Sequence, residues 1–247
     1  MQKRKVGLVA LTLMLMSIPL ISNAVKLNDL LVYLPKDEGK GNTVEDASDN
    51  DFDADIVGGA KWVAGQFGEG LELAVADEVQ IEDDPAIDGG DEFTIAMWVF
   101  QEGEQSTGLI QKGTNWPDIS YLIQPWNDGQ IYFGVNVTAS RAITKPGDHS
   151  LGKWYHLAGT FDGKDLKLFI NGTLKAEATA PVKTAPDTDA PLQLGNRFEG
   201  KIDEFVMYSR ALSEDEIKLL FENDFLAVAP LDKLAKTWGT IKSRSQY

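Results

Sequence analysis

Two tryptophans in turn-rich segments are the residues best suited to contact a ligand. Trp116 lies in the segment Thr-Asn-Trp-Pro-Asp and Trp126 in the segment Gln-Pro-Trp-Asn-Asp, on either side of one apolar run. An indole in such a loop offers a flat apolar face to a sugar ring or a peptide side chain, and the neighbouring amides and carboxylates can hydrogen-bond to hydroxyl groups. The alternative is that both rings pack against the ends of the fold and close them. The predicted ligand-binding residues are Asn115, Trp116, Asp118, Trp126, Asn127 and Asp128.

The sequence carries no recognisable catalytic motif. It has no cysteine, which excludes disulfides, thiolate metal sites and cysteine nucleophiles, and it has two histidines. A retaining glycosidase needs two carboxylates about 5 Å apart, which acids two or four positions apart on one strand would supply. The acid clusters at 82–84, 88–92 and 214–216 fall instead in loops or at a helix start. We predict that the chain is not an enzyme. A cryptic glycoside hydrolase stays open as an alternative, because acids from different strands can still meet.

The two ends of the chain differ in composition from its middle. Residues 1–24 combine basic residues at 3–5 with a short apolar run, and they end in Ser-Asn-Ala, the pattern of a secretory signal peptide cleaved after Ala24. The run is too short to span a bilayer, and no later segment is long enough. Residues 230–247 are basic and poor in apolar side chains, which predicts a separate flexible tail.

The net charge gives a further exclusion. The chain has 38 acidic and 23 basic residues, a formal net charge of −15, whereas a nucleic-acid-binding protein needs a basic surface for phosphates. The charge therefore predicts no nucleic-acid partner. The predicted signal peptide predicts a protein of the extracellular space or the cell envelope, and the lengths of the apolar segments predict no membrane span.

The middle of the chain, residues 25–229, is predicted to form one all-β domain. Short apolar runs rich in β-branched and aromatic residues alternate with turn signals. Three pairs, Asp-Gly at 128–129, Asp-Gly at 162–163 and Asn-Gly at 171–172, tolerate positive φ angles and predict antiparallel hairpins. The predicted strands are 30–34, 93–100, 119–124, 130–137, 154–161, 166–170 and 200–208. Because several of these runs are apolar on both faces, we expect an antiparallel β-sandwich.

One short helix is predicted near the end of this domain. Ser213 and Glu216 have the spacing of a capping box, and Leu212 is placed to pack on Ile217. This helix is expected to end at Asn223.

Five segments resemble concanavalin A-like jelly-roll modules of the laminin G-like type. They are LVYLPKDEGKGNTVEDASDND, GQFGEGLEL, DEFTIAMWV, GKWYHLAGTFDGKDLKLFINGTL and FEGKIDEFVMYSRALSEDEIKLL, in the order typical of that family. The resemblance covers about residues 28–224. It implies two antiparallel sheets of roughly 12 strands, one of them concave. It leaves the function open, since this fold carries both glycosidases and non-catalytic binding modules.

The resemblance also implies a structural calcium ion. Acidic residues crowd the loop at 46–55, and Ca²⁺ prefers six to eight oxygen ligands. Asp203 is an acid near the start of an otherwise apolar strand, where a carboxylate is costly unless it is paired or coordinated. By similarity to the family, Asp46 and Asp203 are the predicted calcium ligands, joining the first and last strands. The alternative is a solvated acidic loop without a metal.

Taken together, these features predict a secreted, non-catalytic, calcium-stabilised module that binds carbohydrate. The alternative is a domain for extracellular protein–protein adhesion or assembly. An exposed aromatic groove of sugar size favours the first interpretation, and a wide flat apolar patch favours the second. The expected partner is accordingly an extracellular glycan or a cell-surface protein.

Overall fold

A computed structural model describes residues 29–103, 108–114, 118–126, 128–136, 141–145 and 147–223. Within these residues the chain forms sixteen β-strands and one α-helix, with a short 3-10 turn at Pro85–Ile87. The first eight strands are β1 (Leu30–Leu34), β2 (Thr43–Val44), β3 (Ala54–Val57), β4 (Lys61–Ala64), β5 (Glu69–Leu73), β6 (Glu78–Ile81), β7 (Phe93–Gln101) and β8 (Ile110–Lys112). The others are β9 (Tyr121–Pro125), β10 (Ile131–Val135), β11 (Ala142–Ile143), β12 (Trp154–Phe161), β13 (Asp165–Ile170), β14 (Thr173–Thr179), β15 (Leu192–Leu194) and β16 (Gly200–Tyr208), followed by helix α1 (Glu214–Phe221).

The strands form two antiparallel sheets of eight strands each. The first has the order β14-β13-β12-β7-β16-β5-β4, and β1 also pairs with β16. The second has the order β11-β10-β9-β8-β15-β6-β3-β2. The first and last strands of the chain are therefore neighbours, with Leu34 opposite Phe205. Apolar side chains from both sheets fill the space between them, and this packing confirms the predicted β-sandwich.

The three predicted hairpins are confirmed. The turn at 128–129 connects β9 to β10, the turn at 162–163 connects β12 to β13, and the turn at 171–172 connects β13 to β14. Gly129, Gly163 and Gly172 have φ angles of 75°, 78° and 70°, which residues with a β-carbon rarely adopt. The turn residues therefore specify three strand pairs, β9 with β10, β12 with β13, and β13 with β14.

Helix α1 covers the outer face of the first sheet. The side chains of Ile217 and Leu220 are buried against Ala96 and Ala158 of β7 and β12. Ser213 Oγ accepts a hydrogen bond from Glu216 N, and the Glu216 carboxylate accepts one from Ser213 N, so the predicted capping box is present. This cover explains why β7 and β12 are apolar on both faces.

The structure differs from the sequence predictions in detail. It contains sixteen strands rather than about twelve, because the segment before β7 forms several strands of two to five residues. The strand predicted at 119–124 starts later, at Tyr121, and the helix ends at Phe221. The predicted signal peptide at 1–24 and the predicted tail at 230–247 lie outside the described residues.

Candidate ligand-binding cleft

The hairpin between β9 and β10 holds Trp126 at the surface. Trp126 N donates to Gln130 O at 2.8 Å, and Gly129 N donates back to Trp126 O at 3.0 Å, which closes the turn. Asp128 Oδ1 accepts a hydrogen bond from Gln130 N at 3.0 Å. The indole is 40% exposed and stacks on Tyr132 with ring centroids 5.3 Å apart and planes 15° apart. The stacked ring supports the indole from one side, so the platform is rigid rather than a free side chain.

A second wall faces this hairpin from the first sheet and the loop before β12. His149 N donates to Gly129 O at 3.2 Å and so ties the loop to the turn that carries Asp128. Gly152 N donates to the carbonyl oxygen of Gln101, the last residue of β7, at 2.9 Å. Between the two walls lies a cleft of about 330 Å³, which we call the Trp126 cleft. It is lined by Gln101, Trp126, Asp128, Gly129, Gly147, His149, Ser150 and Leu151.

Two buried polar atoms at this cleft lack a hydrogen-bond partner in the described part of the chain. They are Gln101 Oε1 and His149 Nε2, and their residues are 3% and 5% exposed. The amide nitrogen of Gln101 donates to Gly103 O at 2.7 Å, which leaves its oxygen as an acceptor without a donor. An unpaired buried polar group costs about 1–3 kcal/mol. A ligand hydroxyl or amide that hydrogen-bonds to these atoms would recover that energy.

The imidazole of His149 is neutral at physiological pH. Burial lowers the pKa of His149 from its usual 6.5 to about 4. The ring also lies 4.8 Å from the ring of Tyr155, whose hydroxyl is hydrogen-bonded to Ser150 at 2.8 Å. A neutral imidazole can accept or donate a hydrogen bond at Nε2 without carrying charge. The cleft therefore combines an aromatic face with a neutral imidazole, an amide oxygen and the carboxylate of Asp128, a combination suited to non-covalent binding of a polyhydroxylated ring.

The predicted ligand-binding residues are divided between two cavities. Trp126 and Asp128 line the Trp126 cleft. Asp118 instead lines a separate cavity of about 490 Å³ with Ser120, Asn136 and other residues. Asn115, Trp116 and Asn127 lie outside the described residues.

Gln101 and His149 were not predicted as site residues. Gln101 is the last residue of β7, the most apolar strand. A polar residue at the end of an apolar strand was the one signal in the sequence that could have pointed to it. His149 follows an aspartate in a polar segment, and only the pairing of its loop with the β9–β10 hairpin shows that it is buried.

Both predicted calcium ligands accept hydrogen bonds from protein donors. Asp46 Oδ1 accepts from Tyr33 N and Ser48 N, and its Oδ2 accepts from Ser48 Oγ and Phe52 N, all within 2.9 Å. This carboxylate therefore closes the acidic loop on β1. No group of three or more histidine, aspartate or glutamate side chains among the described residues is arranged to hold a metal ion.

Asp203 is fully buried and has its own set of donors. Its Oδ2 accepts from Gln66 N and Phe67 N at 2.9 and 3.0 Å, and its Oδ1 accepts from Glu204 N at 2.9 Å. No described hydrogen-bond donor is shared by Asp203 and Asp46.

The fully buried Lys36 interacts electrostatically with Asp203 and Glu204. The Lys36 ammonium donates to Leu34 O at 3.1 Å, and burial lowers the pKa of Lys36 to about 8 against the opposing charges of Asp203 and Glu204. Burial also raises the pKa of Asp203 to about 7 and that of Glu204 to about 8. Backbone N–H groups and a lysine beside Asp203 do not fit a calcium ligand, so the burial of this acid has another physical basis. Calcium binding by the chain as a whole stays a prediction.

The chain is similar in sequence to a known domain family and to parts of longer proteins. The family model of the concanavalin A-like lectin/glucanases superfamily matches residues 73–218. Pappalysin-1 of Mus musculus is 26% identical over 186 residues, which cover 62% of this chain and 11% of that protein. The chain thus spans about a tenth of the length of the curated relatives it matches.

Two solved structures share the architecture. Domain 4 of AbnA, a GH43 extracellular arabinanase from Geobacillus stearothermophilus solved with arabinotriose, has a TM-score of 0.63 and 20% identity over 78% of this chain and 98% of that one. The binding domain of Paraclostridial Mosquitocidal Protein 1 has a TM-score of 0.64 and 21% identity over 81% of this chain and 53% of that one. At these identities the likeness establishes a common fold. Within the described residues, no helix has the length and apolar character needed to cross a membrane.

Proposed function

Because the chain belongs to the concanavalin A-like lectin/glucanases superfamily, we propose that it is a non-catalytic carbohydrate-binding module whose site is the Trp126 cleft. The observation that carries the proposal is the combination of an exposed, stacked indole with two unpartnered buried polar atoms around one cavity. Sugars match this combination, because a pyranose or furanose ring has an apolar face and a rim of hydroxyl groups. The arabinotriose bound to domain 4 of AbnA is an example of such a ligand on this fold.

The composition of the cleft supports binding rather than hydrolysis. Asp128 is the one carboxylate among its described lining residues, whereas glycosidases of the common type use two carboxylates across the scissile bond. A volume of about 330 Å³ lies at the lower end of the range for small-molecule sites. It suits one or two sugar rings better than a flat protein surface.

We also propose that the protein acts outside the cell. The support is the predicted signal peptide at residues 1–24. Sequencing of the N-terminus of the exported protein is expected to start at Val25. An N-terminus at Met1 on an exported or cell-bound protein would contradict the predicted cleavage.

The proposed function is tested by a glycan array followed by titration calorimetry with the best ligand. Trp126→Ala is expected to weaken binding roughly 30-fold or more, since an aromatic anchor of an interface contributes about 2 kcal/mol or more. Gln101→Ala and His149→Ala are expected to weaken it about 2- to 10-fold each, the worth of one hydrogen bond of about 0.5–1.5 kcal/mol.

Trp62→Ala is the matched control for the aromatic substitution. Trp62 is a half-buried indole of β4 that is absent from the described lining of the cleft. Its loss is expected to lower the melting temperature and to leave the affinity for sugar unchanged. A blank array from the folded protein would overturn the glycan proposal and favour a protein partner. Equal affinities of Trp126→Ala and the unmodified protein would remove the Trp126 cleft as the site.

A further inference from the structure

Two side chains that line the Trp126 cleft, Gln101 and Asp128, offer hydrogen-bond acceptors. Gln101 Oε1 is an acceptor because the amide nitrogen of that side chain is bonded to Gly103 O. The carboxylate of Asp128 is an acceptor at both oxygens and keeps one lone pair engaged with Gln130 N. Acceptors of this kind attract hydroxyl hydrogens, whereas the carboxylate or sulfate of an acidic sugar offers only further lone pairs.

Positive charge lies beside the Trp126 platform rather than in the described lining of the cleft. The Arg141 guanidinium lies over the ring of Tyr132, 5.8 Å from its centroid. The described lining residues include no lysine or arginine, and the internal segments outside the described ranges contain neither residue type. His149 adds no positive charge, because burial keeps its imidazole neutral. Lys175, which lies near the loop before β12, already pairs with Asp148 at 3.4 Å.

We propose that the Trp126 cleft selects uncharged sugars and excludes uronic, sialic and sulfated ones, and that Asp128 is the residue that enforces the exclusion. This inference rests on the proposed carbohydrate-binding function. In it, the hydroxyl groups of a neutral ring donate to Gln101 Oε1 and Asp128, while its apolar face lies on Trp126. An acidic ring in the same position would bring its anionic group against a carboxylate and an unpaired amide oxygen.

The test uses a panel of neutral oligosaccharides of glucose, galactose, xylose, mannose and arabinose, together with their acidic counterparts of equal length, including glucuronate and galacturonate oligomers and sialylated glycans. Affinities for the full-length protein are measured by titration at constant ionic strength. At least one neutral oligosaccharide is expected to bind, and its acidic counterpart is expected to bind at least tenfold more weakly. Asp128→Asn is expected to reduce the ratio of neutral to acidic affinity at least threefold.

Asp162→Asn is a matched control. Asp162 occupies the same position of an Asp-Gly hairpin turn, with its Oδ1 accepting from Lys164 N at 3.0 Å, and it lies outside the described lining of the cleft. Both variants change the net charge equally. The Asp162→Asn variant is expected to keep the ratio of the unmodified protein, and an equal fall in both variants would show that overall charge, not the cleft, excludes acidic sugars.

The outcomes separate the two proposals. Binding of acidic sugars as strong as that of neutral ones overturns the selectivity and leaves the glycan-binding function standing. Absence of binding to every member of the panel by the folded protein overturns both.

Discussion

The substitution Glu204→Gln tests how the buried ionisable cluster between β1 and β16 affects stability. Glu204 is 7% exposed and accepts a hydrogen bond from the Tyr33 hydroxyl at 2.7 Å. Burial, with the neighbouring charge of Asp203, raises the pKa of Glu204 from 4.5 to about 8. Glutamine keeps an oxygen that can accept from Tyr33 and cannot ionise, so the substitution removes the charge with little change of shape.

The sign of the effect follows from proton linkage. Between pH 4.5 and about 8 the folded state holds a proton on Glu204 that the unfolded state has released, so the free energy of unfolding falls as pH rises through this range. At about 1.36 kcal/mol per pH unit, the full range corresponds to at most about 5 kcal/mol. Glu204→Gln is therefore expected to match the unmodified protein near pH 4 and to exceed its stability by about 2–5 kcal/mol at pH 9.

The assay is urea unfolding at a series of pH values from 4 to 9, with the difference between the two proteins taken at each pH. The difference cancels the contributions of groups whose pKa shifts do not involve Glu204, including the two histidines, whose pKa values are lowered by burial. Glu177→Gln, on an exposed position of β14, is the control and is expected to leave the pH profile unchanged. If Glu204→Gln destabilises the protein by the same amount at pH 5 and pH 9, the reasoning on this cluster is refuted.

Three further perturbations have expected magnitudes. The fully buried ammonium of Lys112 pairs with Asp88 at 2.8 Å. Lys112→Met is expected to lower the free energy of unfolding by about 3–5 kcal/mol, because it leaves the acid uncompensated; an unchanged urea midpoint would contradict this. Gly159→Ala would place a methyl group 2.6 Å from the Phe133 ring, and overpacking of this kind costs about 1–3 kcal/mol, measurable as a lower melting temperature. Asp46→Asn is expected to leave any difference in melting temperature between millimolar calcium and chelator unchanged, since protein donors already hydrogen-bond to the Asp46 carboxylate; loss of a calcium-dependent rise of several degrees in this variant would contradict this.

Local sequence signals predicted the parts of the fold that depend on neighbouring residues. The Asp-Gly and Asn-Gly turns specify their hairpins through positive φ angles, and the capping box at Ser213 fixes the start of α1. The family resemblance implied that the first and last strands are held together, and β1 pairs with β16. The turns and the capping box are each encoded within a few residues, whereas the family resemblance extends over most of the domain.

The site depended on contacts that no local pattern encodes. Gln101 and His149 are brought to one cleft by the pairing of β7 with β12 and by the contact of the His149 loop with the β9–β10 turn. Lys36 lies in a polar segment that favours an exposed side chain, yet its positive φ of 62° accompanies a fully buried ammonium. The sequence indicated that buried Asp203 needs compensation, but not that backbone N–H groups and a lysine would supply it.

The binding of a sugar in the Trp126 cleft can be measured most directly at the histidine side chains. The chain has two histidines, and they differ in position: His149 lines the cleft, whereas His156 is buried on β12 with Trp98 at 5.4 Å between ring centroids. Nitrogen-15 spectra of the imidazoles, recorded while the best array ligand is added, therefore contain one reporter and one internal control. The account predicts that the His149 Nε2 signal shifts with saturation and that the His156 signals stay in place. Saturation of binding with both histidines unmoved would contradict it.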